Sequence, residues 1–317
     1  MIPFIDDSFI KTHTDFPHLV ARIEAAFSSS ETIVPMRHHH DFPNGSESED
    51  STLLLMPAWT PQQESGVKIV TVSPNNAKSD LPSIHGLYVH LDSATGKVLS
   101  ILNARELTAK RTAATSALAS KYLSRENADT LLVIGTGALS ENLIRAHASV
   151  RPIETVMVYG RNISKSEEIA KRFKNDDLEV RAINTIEEGI GDADIISCAT
   201  LSATPLIKGK WLKEGQHVDL VGAYKPNMRE ADDDVIRRGT IYVDTMEGGL
   251  KESGDIVIPL ESGLLQRKDI VGDLFSLCSE VGSGRKSTDE ITVFKSVGYA
   301  LEDLVGASYY YEQWKEQ

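Results

Sequence analysis

A chain of 317 residues, 41 % hydrophobic and 25 % charged, has the composition of an ordinary folded protein and length for about two domains. Its 33 basic against 46 acidic side chains leave a formal charge of −13, which argues against nucleic acid or an anionic membrane as partner, since both require an electropositive face. No run approaches the ~18 apolar residues of a spanning helix, "MIPFIDDSFI" lacks the basic-then-apolar layout of a secretory leader, and Cys198 and Cys278 fall in no metal or CxxC spacing, so a cytoplasmic protein with two reduced thiols is expected.

In chain order, "HHHD" (38–41) reads as a polar loop; consecutive histidines cannot all face one ion and no second ligand cluster accompanies them, so no metal is expected. "NGSESEDS" (44–51) reads as a further polar loop. From 53 to 103 the segments "TLLLMPAW", "GVKIVTVSP", "HGLYVHLD" and "VLSILNA" read as β-structure, the last two joined as a hairpin with Gly96 in the turn. "RELTAKRTAATSALASKYLS" (105–124) changes to helical period. Then "TLLVIG", "TVMVYG", "DIISCAT", "HVDLVGA" and "TIYVDT" follow as short, nearly continuous apolar strands, most of them separated by helical stretches. Continuous apolarity means both faces are covered, the mark of a parallel sheet between helices. In "VGAYKPNMRE" (221–230) the Val-Gly-Ala run reads as the end of a buried strand that Pro226 stops, with Tyr224 at its mouth. The tail "ITVFKSVGYALEDLVGASYYYEQW" reads as a strand-like start and a helix that returns to the first domain. The expected fold is α/β, a Rossmann-type doubly wound parallel sheet over 123–292, plus a discontinuous α+β domain over 1–122 and 293–317.

The strongest chemical signal is "LLVIGTGALSENLIRAH". It sets Gly135, Gly137 and Ser140 in a G-x-G-x-x-S turn between an apolar strand and a helix. Gly135 permits the tight turn, Gly137 lets the backbone approach a pyrophosphate, and small Ser140 allows close helix-strand contact. Thr136, Ala138 and Leu139 complete the turn. The next strand, "TVMVYG", ends without the acid that would hold the ribose hydroxyls of NAD. It offers Gly160, Arg161, Asn162 and Ser164 instead, which suits the 2′-phosphate of NADPH, with NADH as a second acceptable cofactor. Ala199, Thr200, Gly222 and Ala223, at later strand ends, join the cofactor-lining set. Among cations, Arg37, Lys68 and Arg111 stand out, because Lys68 and Arg111 lie among apolar or small residues where an unpaired charge is costly. An arginine with a lysine can hold a carboxylate; a structural ion pair is the alternative for each. Met56 and Thr112 are weaker candidates for lining that pocket.

"MPAW…GVKIVTVSPNN", "TAKRTAATSALASKYL", "VIGTGALS", "GAYKPNMREADDDVIRRGTIYVDT", "KESGDI" and "TVFKSVGYALED" together resemble the ornithine cyclodeaminase/mu-crystallin family, in the right order over nearly the whole chain. That resemblance implies a homodimer joined through the substrate domains, Arg37, Lys68 and Arg111 as the carboxylate-binding set, and Ser296, Val297 and Gly298 as backbone close to the nicotinamide. One position departs from the pattern. Cyclodeaminases of the family carry an Asp where Tyr224 stands, and a phenol of pKa ~10 cannot serve as that anion near neutral pH. The resemblance therefore points to NADPH-dependent reduction of a cyclic imino acid, Δ1-pyrroline-2-carboxylate or Δ1-piperideine-2-carboxylate, with Lys68, Arg111 and Tyr224 at the reacting centre. A cyclodeaminase that recycles bound NAD, or a non-catalytic protein that binds NADPH and a small carboxylate ligand, are the competing expectations.

Overall fold

Alternating burial along residues 51–103 shows an antiparallel sheet with one face packed and one open. The structure, a computed structural model, describes residues 1–29, 31–44, 50–73, 75–76, 81–279 and 284–317. Residues 45–49 of the expected loop "NGSESEDS" lie outside the described residues. By contact the chain divides into two units, Met1–Arg111 with Tyr299–Gln317, and Thr112–Gly298.

The first unit begins with β1 (Phe4–Ile5), α1 (Asp7–Thr12) and α2 (Phe16–Ser29). The strands β2 (His38–Phe42), β3 (Ser51–Thr60), β4 (Glu64–Val72), β5 (Ile84–Asp92) and β6 (Val98–Asn103) follow. They form a six-stranded sheet in the order β1-β6-β5-β4-β3-β2. The β5–β6 hairpin turns at Gly96, whose φ of 71° lies in the left-handed region that glycine alone adopts without strain. The polar "HHHD" is not a loop. It is most of β2, an edge strand with all five residues exposed, and polar side chains on an edge discourage pairing with other chains.

A single helix, α3 (Ala104–Leu123), runs across the division at Arg111/Thr112. The second unit then builds β7 (Thr130–Ile134), α4 (Ser140–Val150), β8 (Thr155–Tyr159), α5 (Ile163–Arg172), β9 (Glu179–Ile183), α6 (Glu187–Ile190), β10 (Ile195–Cys198) and β11 (His217–Leu220). It continues with α7 (Asp233–Arg238), β12 (Thr240–Val243), α8 (Met246–Glu252), α9 (Gly254–Glu261), β13 (Ile270–Asp273), α10 (Leu274–Ser279) and β14 (Thr292–Lys295). The eight strands pair in the order β13-β12-β14-β11-β10-β7-β8-β9, every pair parallel. The chain winds outward from β7 to β8 and β9 on one side and to β10 and β11 on the other. That reversal is the doubly wound switch point, and ligands of such sheets bind outside the strand ends there. Finally α11 (Ala300–Lys315) packs against α2 and β3 to β6 of the first unit.

Two local expectations are corrected. "TVFK" is no part of a returning segment: β14 lies between β11 and β12, paired with both. The units therefore divide after Gly298 rather than at 292/293, and inside α3 rather than at 122/123. Strand β11 also ends at Leu220, well before Pro226. The Gly222 and Ala223 N–H groups donate to the Glu230 carboxylate, at 2.8 and 3.1 Å, so they are withdrawn from any strand ladder.

Candidate functional site

Within the first unit, Met56, Lys68 and Tyr88 form one cross-strand row over β3, β4 and β5, and all three are buried. A buried ammonium needs a counter-charge. Lys68 Nζ finds Asp303 Oδ2 at 2.7 Å. Arg111, buried on α3, donates through Nε to Asp303 Oδ1 at 2.9 Å and through Nη1 to Glu302. Glu302 and Asp303 are fully buried in the first turn of α11. Arg37 is half-buried and close enough for its charge to act on Lys68. The structure thus brings Arg37, Lys68, Arg111 and Met56 into one neighbourhood, and adds two carboxylates and a tyrosine that the sequence reading missed. A signal for the acids existed: "LED" stands inside the otherwise apolar "YALEDLVGA", and acids in an apolar helix imply buried cations.

The electrostatics distinguish the members of this cluster. Burial pushes the Lys68 ammonium down to about 8, with Arg111 and Arg37 adding to the effect and Asp303 opposing it. Burial also works against charge on Arg111 and Asp303, but there the opposite partners win: Asp303 and Glu302 raise the guanidinium, and Arg111 and Lys68 hold the Asp303 carboxyl below its usual range. A lysine that titrates near 8 when folded and near 10.5 when unfolded is held charged at a cost on the order of 3 kcal/mol. Between those values the unfolded chain binds more protons, so this residue's contribution to stability improves as pH rises. An ion pair present for stability would have the opposite sign. Three cationic side chains thus gather around two buried carboxylates.

The second unit supplies a phosphate cradle. Gly135 has φ 125°, and a Cβ there would lie 2.7 Å from the Ala199 carbonyl oxygen. A Cβ on Gly137 would meet nothing within 4 Å, so the backbone at the head of α4 is open to a ligand, as a pyrophosphate requires. Ser140 is fully buried and its hydroxyl donates to the Gly135 carbonyl at 2.9 Å. Thr136 and Leu139 are half-buried and Ala138 is exposed. Past β8, a Cβ on Gly160 would lie 2.4 Å from the Thr136 methyl, which explains the glycine without a ligand. Arg161, Asn162 and Ser164 are exposed, and Asn162 caps α5 by accepting from the Ser164 N–H at 3.0 Å. These features fit a dinucleotide.

The remaining expected cofactor residues follow the strand ends. Ala199 and Thr200 come after β10, Gly222 and Ala223 after β11. A Cβ on Gly222 would fall 2.0 Å from the Thr200 carbonyl oxygen, so only glycine fits. Ser296, Val297 and Gly298 follow β14 and converge on Asp244. Its Oδ2 accepts from the Val297 and Gly298 N–H groups at 2.6 and 2.8 Å and from the Ser296 hydroxyl at 3.2 Å. Tyr224 is half-buried, its ring 5.8 Å from Lys225 Nζ. Thr112 is buried beside Arg111 on α3. Sequence reasoning missed Asp244 and Glu230, since acids at strand ends carry no pattern until the loops that they hold are known.

Residues 6–317 match the ornithine cyclodeaminase/mu-crystallin family. An uncharacterized protein of Schizosaccharomyces pombe is 42 % identical over 290 residues, 88 % of each chain. The Δ1-pyrroline-2-carboxylate reductase of Bacillus cereus is 38 % identical over 293 residues, 90 % of this chain and 88 % of the other. The Thermococcus litoralis Δ1-pyrroline-2-carboxylate reductase, solved with NADH and L-proline, superposes with a TM-score of 0.92 at 31 % identity, covering 99 % of this chain and 98 % of that one. With its glycine turn, its doubly wound sheet and its paired cations in place, this chain belongs to the ornithine cyclodeaminase/mu-crystallin family.

Proposed function

We propose that the protein reduces a cyclic imino acid, Δ1-pyrroline-2-carboxylate or its six-membered homologue Δ1-piperideine-2-carboxylate, to L-proline or L-pipecolate with NADPH, NADH serving less well. The observation that carries the reading is the buried Lys68–Asp303–Arg111–Glu302 cluster. It keeps a lysine charged against the stability of the fold, in a family two of whose similar members named above are reductases of such an imine. Lys68, Arg111 and Arg37 take the substrate carboxylate, with Met56 and Thr112 as apolar and polar lining. A bound reduced nicotinamide supplies hydride to C2 of the C=N bond. The ring nitrogen enters already protonated, so the product amine needs no further strong acid. Tyr224 walls the ring. No carboxylate stands at its position to engage a second substrate amine, which disfavours ornithine deamination.

NADPH is favoured because β8 ends in Gly160-Arg161 with no acid to repel a 2′-phosphate. Two copies pair through the outer face of the six-stranded sheet. There the rows Leu55–Ile69–Leu87 and Pro57–Val67–Val89 are apolar and partly or largely open, Ile69 37 % and Leu87 42 % exposed; an antiparallel sheet that meets water on that face is normally polar there. No helix among the described residues is long and apolar enough to cross a membrane, and Cys198 and Cys278 are thiols; we place the enzyme in the cytoplasm.

The deciding experiment is NADPH oxidation against five- and six-membered cyclic imines, with ornithine and lysine as controls. One NADPH consumed per imine is expected. Ammonia released from ornithine without added reductant would overturn the reading, as would tight NADPH binding with no turnover on either imine. Because Lys68 loses its proton as pH rises through about 8, the KM for the imine should climb above that pH and stay flat below it; a KM independent of pH from 7 to 9.5 would remove Lys68 from the clamp. Lys68→Met should raise that KM by roughly a hundredfold, the loss of a charged hydrogen bond. The same change should leave the urea midpoint unmoved or raise it, because it removes a lysine held charged at a cost while Asp303 keeps Arg111. Asp303→Asn strands two buried cations and should lose about 3–5 kcal/mol of stability; the reverse ranking of the two variants in stability would contradict this division of roles. Arg161→Ala should weaken NADPH about tenfold or more and NADH hardly at all, and equal losses for both would refute the 2′-phosphate contact. Light scattering should find a dimer that Leu87→Lys converts to monomer; a dimer that survives the change places the interface elsewhere.

A further inference from the structure

The parallel sheet of the second unit contains a second buried charge cluster, which the reaction proposed above does not use. Glu230, Asp255 and Lys295 are each 0 % exposed. Lys295, the last residue of β14, places Nζ 3.2 Å from Asp255 Oδ2 and 3.7 Å from Glu230 Oε2. Asp255 Oδ1 accepts from the Glu230 and Ala231 N–H groups at 2.8 and 3.0 Å, which fixes the backbone that presents Glu230. The Glu230 carboxylate is then shared between two loops. Oε1 accepts from the Thr200 N–H at 2.7 Å and the Thr200 hydroxyl at 3.0 Å. Oε2 accepts from the Gly222 and Ala223 N–H groups at 2.8 and 3.1 Å. Three of these donors are main-chain N–H groups, which cannot reverse their polarity, so the side chain serves as an acceptor on both oxygens. Burial, with Asp255 adding to it, pushes its pKa above the usual carboxylate range against the pull of Lys295 and the Thr200 N–H; the fixed main-chain donors keep both oxygens in use as acceptors.

Two carboxylates and a lysine buried together inside the sheet are an expensive arrangement for a purely structural tie. Its placement gives it a use. The loops after β10 and β11 stand at the carboxyl edge of the sheet, next to the switch point between β7 and β10, and the Ala199 carbonyl already abuts Gly135 of the phosphate turn. The reading rests on the dinucleotide site proposed above. We infer that Glu230 is a positioning residue for the cofactor: seated by Asp255 and Lys295, it locks the Thr200 and Gly222–Ala223 loops to each other, so that the dinucleotide meets a preformed edge rather than two independent loops.

The test uses the intact protein, with NADPH itself as the titrant followed by its fluorescence. Glu230→Gln keeps the shape but turns one acceptor into a donor, and it should weaken NADPH by at least tenfold. At saturating NADPH the KM for the imine should stay within about twofold of wild type, a split that a general loosening of the fold would not produce. Lys295→Met removes the cation that helps seat Glu230, and should shift NADPH affinity in the same direction by a smaller factor. A folded Glu230→Gln protein that binds NADPH as tightly as wild type overturns the inference. So does failure of both variants to fold, which would make the cluster a folding element only. If the wild-type protein binds NADPH but reduces no imine, the substrate assignment fails while this test stands; if it binds no dinucleotide, the function proposed above is what fails.

Discussion

Burying a lysine and an arginine on the packed face of an antiparallel sheet creates a charge that the cross-strand neighbours of Lys68, Met56 and Tyr88, cannot balance, because neither is an anion. The carboxylates come instead from the far end of the chain, where Glu302 and Asp303 open α11. The first unit depends on this pairing in its covalent path as well as its energy. A chain that left the unit through α3 has to come back so that its last helix can deliver two acids to Lys68 and Arg111. The same helix buries its apolar side chains against α2 and the sheet, so packing and charge neutralisation arrive together.

The second unit meets a comparable demand at the ends of its parallel strands. Parallel strands leave main-chain N–H groups without ladder partners once the chain turns away, and these must find acceptors. Glu230 serves Thr200, Gly222 and Ala223, and Asp244 serves Thr245, Val297 and Gly298. Each acid collects donors from segments distant in sequence. An edge formed this way is rigid where a bound ligand needs little rearrangement, and it is made of backbone, which accounts for the glycines and small residues at those positions.

The chemistry of the proposed reaction is simple for the same reason. Hydride transfer to a protonated cyclic imine asks the protein for orientation and for a charge opposite the carboxylate, more than for a general acid. In that proposal a clamp of cations around the carboxylate answers the demand. A carboxylate at Tyr224 would add an anion suited to a substrate with a second amine, which is a different chemistry from the same scaffold.

Much was legible in the sequence because it is local. The glycine turn, the continuous apolarity of β7, β8, β10 and β11, the hairpin at Gly96 and the helical period of α3 each follow from residues within reach of one another, and the three cations stood out against apolar neighbours. The edge strands did not show: β2 is polar up to Phe42 and exposed along its length, and β9 and β13 have too few buried residues for a continuous apolar signal. Nor did the ends of elements, since β11 stops where Glu230, ten residues after Leu220, takes its N–H groups. What only the tertiary structure decided is which charges meet. The sequence by itself determined that Lys68 and Arg111 need anions and that the strand-end loops need acceptors, because burial of an unpaired polar group is costly wherever it occurs. Which acids answer is a matter of chain path, and Asp303 lies 235 positions from Lys68 in sequence but 2.7 Å away in the fold.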